Sequence, residues 1–314
     1  MSSRTACLCF LAVVNFIAIQ GAHALVHNTR GASRDDVFPK LIDGGNLKKR
    51  SPIRVACVGA STTKGGLGSG DPYPSILQKM LGDDYAVSNL GVAGRTISKN
   101  DEISYWKTPA FEQLSKSKWD IVVNLFYGND GKDMSSGFKR DIWQHHLCDT
   151  GTVSTRCPYW TSYRSWIDFL RTLGSPDIFI GTPLPVTGPN NFSVNMTVTN
   201  GVIRKMIPKI AAESDIGPDH VIDMFAELAG DSLGEVPKNG CSTNMSDIGV
   251  CPFFCDEELC DQLHPTAAGK QKIAAVIADA IWKSRSLKSD SLRFMGPNRI
   301  SLLIVFLAFL AYSC

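Results

Sequence analysis

The chain has 314 residues, 44% hydrophobic, 9% aromatic and 20% charged, a globular composition that can fill a sizeable core and excludes a largely disordered or fibrous protein. Lysine and arginine total 32 against 30 acidic residues, a formal charge of +2 spread along the chain, so nucleic acid is not an expected partner. Ten cysteines are too few for a disulfide miniprotein and many for a cytosolic enzyme, which makes their state a question of compartment.

In chain order, residues 1–24 read as a signal peptide: Arg4, an apolar run from Ala6 to Ile19 broken only by Asn15, then the small-x-small pattern Ala22-His23-Ala24. The run is shorter than the ~20 residues of a membrane span and lacks basic residues just after it. Residues 25–50 form a polar lead ending in Lys48-Lys49-Arg50, read as a solvated linker. One domain is expected over 51–287. It opens with a strand from Ile53 to Val58, apolar on both faces, and a turn through Gly59-Ala60-Ser61-Thr62-Thr63. A helix then runs from Pro74 to Leu81, a strand from Tyr85 to Leu90, a helix from Pro109 to Leu114 and a strand from Asp120 to Phe126. A helix at Tyr159–Leu173, a strand at Asp177–Gly181, a helix at Val198–Ser214, a short strand at His220–Met224 and a helix at Pro265–Trp282 complete it. This alternation implies βαβ crossovers, hence a three-layer α/β/α sandwich around a mainly parallel five-stranded sheet, with ligands at the C-terminal strand ends. Residues 288–314 read as a spacer and a hydrophobic tail. The small residues Ser289, Asp290 and Ser291 and the apolar run Ile300–Tyr312 suit a GPI-attachment signal, the alternatives being a short tail anchor or an amphiphilic tail packed on the fold.

Four polar motifs fall at those strand ends. Ser61 follows the first strand in a Gly-flanked turn, where its hydroxyl stands exposed and its N–H can face an anion. Gly94 follows the second, where a missing side chain lets a substrate oxygen approach the backbone N–H. Gly128-Asn129-Asp130 follows the third and offers a side-chain amide donor. In Asp261-Gln262-Leu263-His264-Pro265, one tight turn can bring the carboxylate to imidazole Nδ1 and leave Nε2 outward as a base. Each motif alone is ordinary turn chemistry; their order and placement together are not.

From Ile53 to Trp282 the chain resembles the SGNH hydrolases, or GDSL-type esterases. Gly59-Ala60-Ser61-Thr62 looks like the family's first block, the stretch from Asn89 to Thr96 its second, Tyr127-Gly128-Asn129-Asp130 its third and Asp261–Pro265 its fifth. The resemblance implies an SGNH/flavodoxin-like fold, Ser61 as nucleophile, His264 and Asp261 as base and orienting acid, and Ser61, Gly94 and Asn129 as the oxyanion hole. Three positions depart from the pattern: Ala60 stands where Asp is usual, Thr62 where Leu is frequent, and Tyr127 where a small residue is common. Such chemistry needs no metal or organic cofactor, and the adjacent His145-His146 would point apart on a helix rather than share an ion.

In an oxidising lumen the six cysteines Cys148, Cys157, Cys241, Cys251, Cys255 and Cys260 can form three disulfides. Cys148 with Cys157 is the natural local pair, and the other four leave three pairings open, with a zinc site as the alternative. Cys57, inside a strand, reads as a buried free thiol. Sequons at Asn191, Asn195 and Asn244 fit glycosylated surface loops. Stretches around Tyr105–Pro109, Val202–Pro208 and Thr182–Pro185 are most similar to carbohydrate O-acetylesterases. The expectation is a monomeric enzyme of the secretory route, extracellular or at the cell surface, that removes O-acyl groups from glycans or small esters and meets a membrane only through a C-terminal anchor. The alternatives are a lipid acyl hydrolase of the lysophospholipase kind and a catalytically dead glycan-binding surface protein.

Overall fold

Strands covered by helices on both faces have no polar face, and the two most apolar runs sit side by side at the centre. β1 (Ile53–Gly59) is buried from Val55 onward and β3 (Ile121–Leu125) throughout. The computed structural model describes residues 51–132, 148, 157–229, 240–244 and 249–294, with side chains to 288. The expected signal peptide, the lead, His145-His146 and the apolar tail lie outside the described residues. β2 (Tyr85–Gly91), β4 (Asp177–Gly181) and β5 (Val221–Ile222) complete one five-stranded parallel sheet in the order β2-β1-β3-β4-β5. The chain moves outward from β1 to β2 and then reverses through β3, so the strand order switches direction between β1 and β3, where ligand crevices of open α/β sheets form. Gly59 pairs with both Gly91 and Leu125, which brings three strand ends to one level there.

Among the described residues the α-helices are α1 (Ser61–Lys64), α2 (Tyr73–Leu81), α3 (Pro109–Ser115), α4 (Pro158–Arg171), α5 (Arg204–Glu213), α6 (Met224–Ala229) and α7 (Ala267–Phe294). Local chemistry sets their starts. Thr108 accepts the Phe111 N–H ahead of Pro109, and the Cys157 sulfur accepts the Trp160 N–H ahead of Pro158. α2 packs on α7, and α4 on α5, the two sides of the sheet that right-handed crossovers require. On the α4 side, Trp106, Phe111, Trp166 and Phe169 form an aromatic layer with ring centroids 5.0 to 6.1 Å apart. The polar Asn124 in central β3 is tolerated because its amide is satisfied: it donates to the Phe179 carbonyl and accepts from the Trp166 indole.

Several elements differ from the sequence expectation for local reasons. The turn after β1 closes into helix α1. The expected strand at His220–Met224 shrinks to Val221–Ile222, because Asp223 accepts the Ala226 N–H and starts α6. The helix expected from Val198 splits into a π-helical Thr197–Ile203 and then α5, which contains Pro208. α7 runs on to Phe294 rather than stopping at Trp282, since no glycine or proline interrupts Lys270–Phe294. The cysteines pair as Cys148–Cys157, Cys241–Cys251 and Cys255–Cys260, which resolves the open pairings. Cys57 is free and buried, and burial pushes its thiol up to about 12, so it is an inert core residue.

Candidate active site

Two features seat Ser61. A Cβ on Gly59 would lie 2.2 Å from Thr63 Oγ1, and one on Gly91 would lie 2.2 Å from the Lys64 backbone nitrogen. Both positions must be glycine for α1 to settle on the strand ends, and the settled helix presents Ser61 at its first position. Tyr127 and Thr62, two departures from the family pattern, hydrogen-bond to each other through their hydroxyls at 3.0 Å and tie α1 to the end of β3.

His264 reaches this hydroxyl from the loop before α7. Its Nε2 lies 2.9 Å from Ser61 Oγ, and its Nδ1 lies 2.6 Å from Asp261 Oδ2. An ionised carboxylate can only accept, so Nδ1 carries the proton and Nε2 is left to accept one from the hydroxyl. The other Asp261 oxygen accepts the N–H groups of Leu263 and His264 at 3.0 and 2.7 Å, so one side chain both builds the turn and orients the ring. Burial alone would raise the Asp261 carboxyl, but the hydrogen bonds from His264 and Leu263 outweigh it and hold the group below the usual carboxylate range. The carboxylate therefore stays ionised through the range in which an ordinary carboxylate takes up a proton, and its contribution to stability is lost only as pH falls through the depressed value.

Asn129 lines a pocket of about 20 Å³ with Ala60, Ser61, Thr62, Leu125, Tyr127, Gly128, Val194 and Leu263. Its Nδ2 donates to the Arg95 carbonyl at 3.1 Å, which fixes the amide and leaves a second N–H for a ligand. Gly94, next to Arg95, sits at φ +75°, a left-handed conformation natural to glycine, but it is not among the residues lining this pocket. The structure thus brings Ser61, His264 and Asp261 into one chain of hydrogen bonds and Asn129 into the same pocket, while Gly94 stands on the neighbouring loop.

Residues 57–272, a span containing all five positions, match the family model described as GDSL-like lipase/acylhydrolase. The chain belongs to that family. Over 279 residues the chain is 27% identical to an acetylxylan esterase of Xylanibacter ruminicola, a match covering 85% of the chain and 51% of that protein, so the chain spans about half the length of the curated relative. Among solved structures, a carbohydrate acetylesterase family member from Sinorhizobium meliloti aligns at TM-score 0.49 and 18% identity over 73% of this chain and 97% of that one. Axe2, an acetylxylan esterase from Geobacillus stearothermophilus, aligns at TM-score 0.46 and 18% identity over 74% and 94%.

Four residues bear on the site through contacts that the sequence did not reveal. Asp130, 2% exposed, accepts the backbone N–H groups of Ile97 and Ser98 and the Ser98 hydroxyl, locking the loop after β2 to the loop after β3. Its position beside Asn129 was visible; its long-range partners were not. Phe192, 38% exposed, meets the His264 ring edge-on at 4.8 Å between centroids. Asn190 holds this loop by accepting the N–H groups of Phe192 and Val194 and donating to the Val194 carbonyl. Gln262, inside the Asp-to-His turn, adopts φ +65°. A left-handed residue with a Cβ costs about 1 kcal/mol or more, so its surroundings must hold it there.

The sequons fall on different surroundings. Asn191 and Asn244 are exposed, whereas Asn195 is half-buried and its side chain accepts the Val198 N–H. A separate cleft of about 330 Å³ lies beside Asp177 and His220, at the other end of β4 from the catalytic loops. Among the described residues no group of three His, Cys, Asp or Glu side chains could hold a metal ion.

Proposed function

We propose that the protein is a serine esterase that removes short acyl groups, chiefly O-acetyl, from carbohydrates. The observation that carries the serine mechanism is the continuous chain Asp261–His264–Ser61 at 2.6 and 2.9 Å. His264 Nε2 takes the Ser61 proton as Oγ attacks the ester carbonyl, forming the Oγ–C bond and a tetrahedral oxyanion. The backbone N–H groups of Ser61 and Gly94 and the Asn129 amide hold that oxyanion. The carbon–oxygen bond to the alcohol breaks, and the alcohol departs with the proton from Nε2. Water, deprotonated by Nε2, then attacks the acyl-enzyme, and collapse of the second tetrahedral intermediate returns the proton to Ser61 and releases the acid.

The small pocket of about 20 Å³ beside Ser61 is of a size to take a group such as an acetyl methyl, which supports a short acyl substrate. The carbohydrate half of the reading draws on the relative named acetylxylan esterase. Phe192 supports it from the alcohol side, offering an aromatic surface beside the base that protonates the leaving group. The three disulfides suit a secreted or surface-bound enzyme, with 51–287 as its catalytic domain.

Hydrolysis of p-nitrophenyl acetate, a long-chain p-nitrophenyl ester and acetylated xylo-oligosaccharides by the full chain tests this reading. Preference for the long chain would overturn the acetylesterase assignment and favour a lipid acyl hydrolase. Asn129→Ala should lower kcat by about 10²–10³-fold, the loss usual for one oxyanion donor, with KM little changed. Phe192→Ala should raise KM for the acetylated oligosaccharide by about 3–10-fold, the equivalent of one lost aromatic contact. Steady-state kinetics read both.

A further inference from the structure

We propose that Gln262 is a positioning residue for the catalytic histidine, holding the Asp261–His264 turn in its working shape through a clamp on disulfide-crosslinked chain. The inference rests on the serine mechanism proposed above. Asp261 can accept the N–H groups of Leu263 and His264 while pairing with the His264 ring because the chain turns sharply at Gln262, which takes φ +65° without being glycine. Nothing within the turn favours that conformation for a long side chain. Its support comes from outside.

The Gln262 side chain lies 9% exposed. Oε1 accepts the Cys241 N–H at 2.7 Å and the Thr187 hydroxyl at 3.1 Å, while Nε2 donates to the Cys241 carbonyl at 2.9 Å and meets Cys260 Sγ at 3.3 Å. Two accepted and two donated bonds are the full capacity of a carboxamide, so its orientation is fixed. The Gln262 backbone carbonyl also accepts the Thr187 N–H at 2.9 Å. Two glycines make room: a Cβ on Gly188 or on Gly240 would come within 3.2 Å of Oε1. Cys241 is bonded to Cys251 and Cys260 to Cys255, so segments on both sides of the amide are covalently restrained. The turn is thereby held between the Thr187 loop and the cystine-linked segment, two residues from the base.

Gln262→Met keeps the side chain's bulk without its hydrogen bonds, and Gln262→Gly frees the backbone without restoring the clamp. Both should lower kcat for p-nitrophenyl acetate by about 10²-fold, as misplaced catalytic groups do, with KM within about 3-fold, measured well below each variant's Tm. Both should also displace or remove the low-field proton resonance of the His264 Nδ1–H held by Asp261, a signal that needs no substrate. Wild-type kcat and an unmoved resonance in a variant whose Tm alone falls would reduce Gln262 to a structural staple and overturn the proposal. So would wild-type kcat in Gln262→Gly, which would make backbone strain the only issue. If neither variant folds, Thr187→Val removes one donor to Oε1 and should lower kcat by about 3–10-fold, the worth of one hydrogen bond, with the resonance displaced. An unchanged kcat and resonance there would equally overturn the clamp. Full activity of Ser61→Ala would instead sink the serine mechanism, whatever the Gln262 variants do to the resonance.

Discussion

Ser61→Ala is expected to lower kcat for p-nitrophenyl acetate by about 10⁶-fold, the loss seen when one member of a nucleophile–base unit is deleted. The size follows from the geometry. With Oγ gone, His264 Nε2 has no hydroxyl 2.9 Å away to deprotonate, and only the oxyanion donors and substrate binding remain to assist water. Such groups alone still accelerate hydrolysis by about 10³–10⁴-fold over water, so a faint residual rate is consistent with the mechanism. The Ser61 hydroxyl bonds to the His264 ring and the start of α1 has no side-chain cap to lose, so the fold should be retained, which circular dichroism checks. A variant keeping more than a few per cent of wild-type kcat would show that another group attacks the ester.

Asp261→Asn should cost about 10⁴-fold in kcat, the scale of a wrong histidine tautomer. The amide oxygen can still accept the N–H groups of Leu263 and His264, so the turn survives. Its NH₂ now faces Nδ1 and donates to it, which forces the proton onto Nε2 and leaves Ser61 without a base. The pH dependence has a definite sign. Asp261, held below the usual carboxylate range, is already ionised at ordinary carboxylate pH, so it adds no limb of its own to the wild-type activity profile there. Stability behaves separately: the Asp261 contribution is present above the unfolded-state carboxylate pKa and disappears only as pH falls through the lower folded value. pH–rate profiles of kcat/KM with thermal midpoints across the same range separate the two effects.

The residues that could be found from sequence are those whose chemistry is local or whose spacing is regular. Continuous apolar runs placed β1 and β3, the Gly-flanked turn after β1 placed Ser61, and an Asp three residues before His-Pro marked the candidate orienting carboxylate. Partners far apart in sequence stayed hidden: Asp130 acts on Ile97 and Ser98, Gln262 on Thr187 and Cys241, and Phe192 reaches His264 across the fold. Nothing in the order of residues encodes those approaches before the sheet has assembled. Pairing of the last four cysteines was unreadable for the same reason, since all three combinations close short loops. Boundary errors had local causes. Asp223 is as compatible with a strand end as with a helix cap, and only its acceptance of the Ala226 N–H decides for the cap. The helical start at Ser61 depends on glycines at 59 and 91 that pack against α1 from two different strands.

The most direct test of the central claim is the mass of the protein after reaction with an organophosphonate ester, which stays on an activated serine as a tetrahedral adduct. One adduct per chain, located by peptide mapping on Ser61, absent in Ser61→Ala and strongly slowed in His264→Ala, is the expected result. Labelling at another residue, or labelling as fast in His264→Ala as in the wild type, would contradict an acyl-enzyme mechanism driven by the Asp261–His264–Ser61 chain.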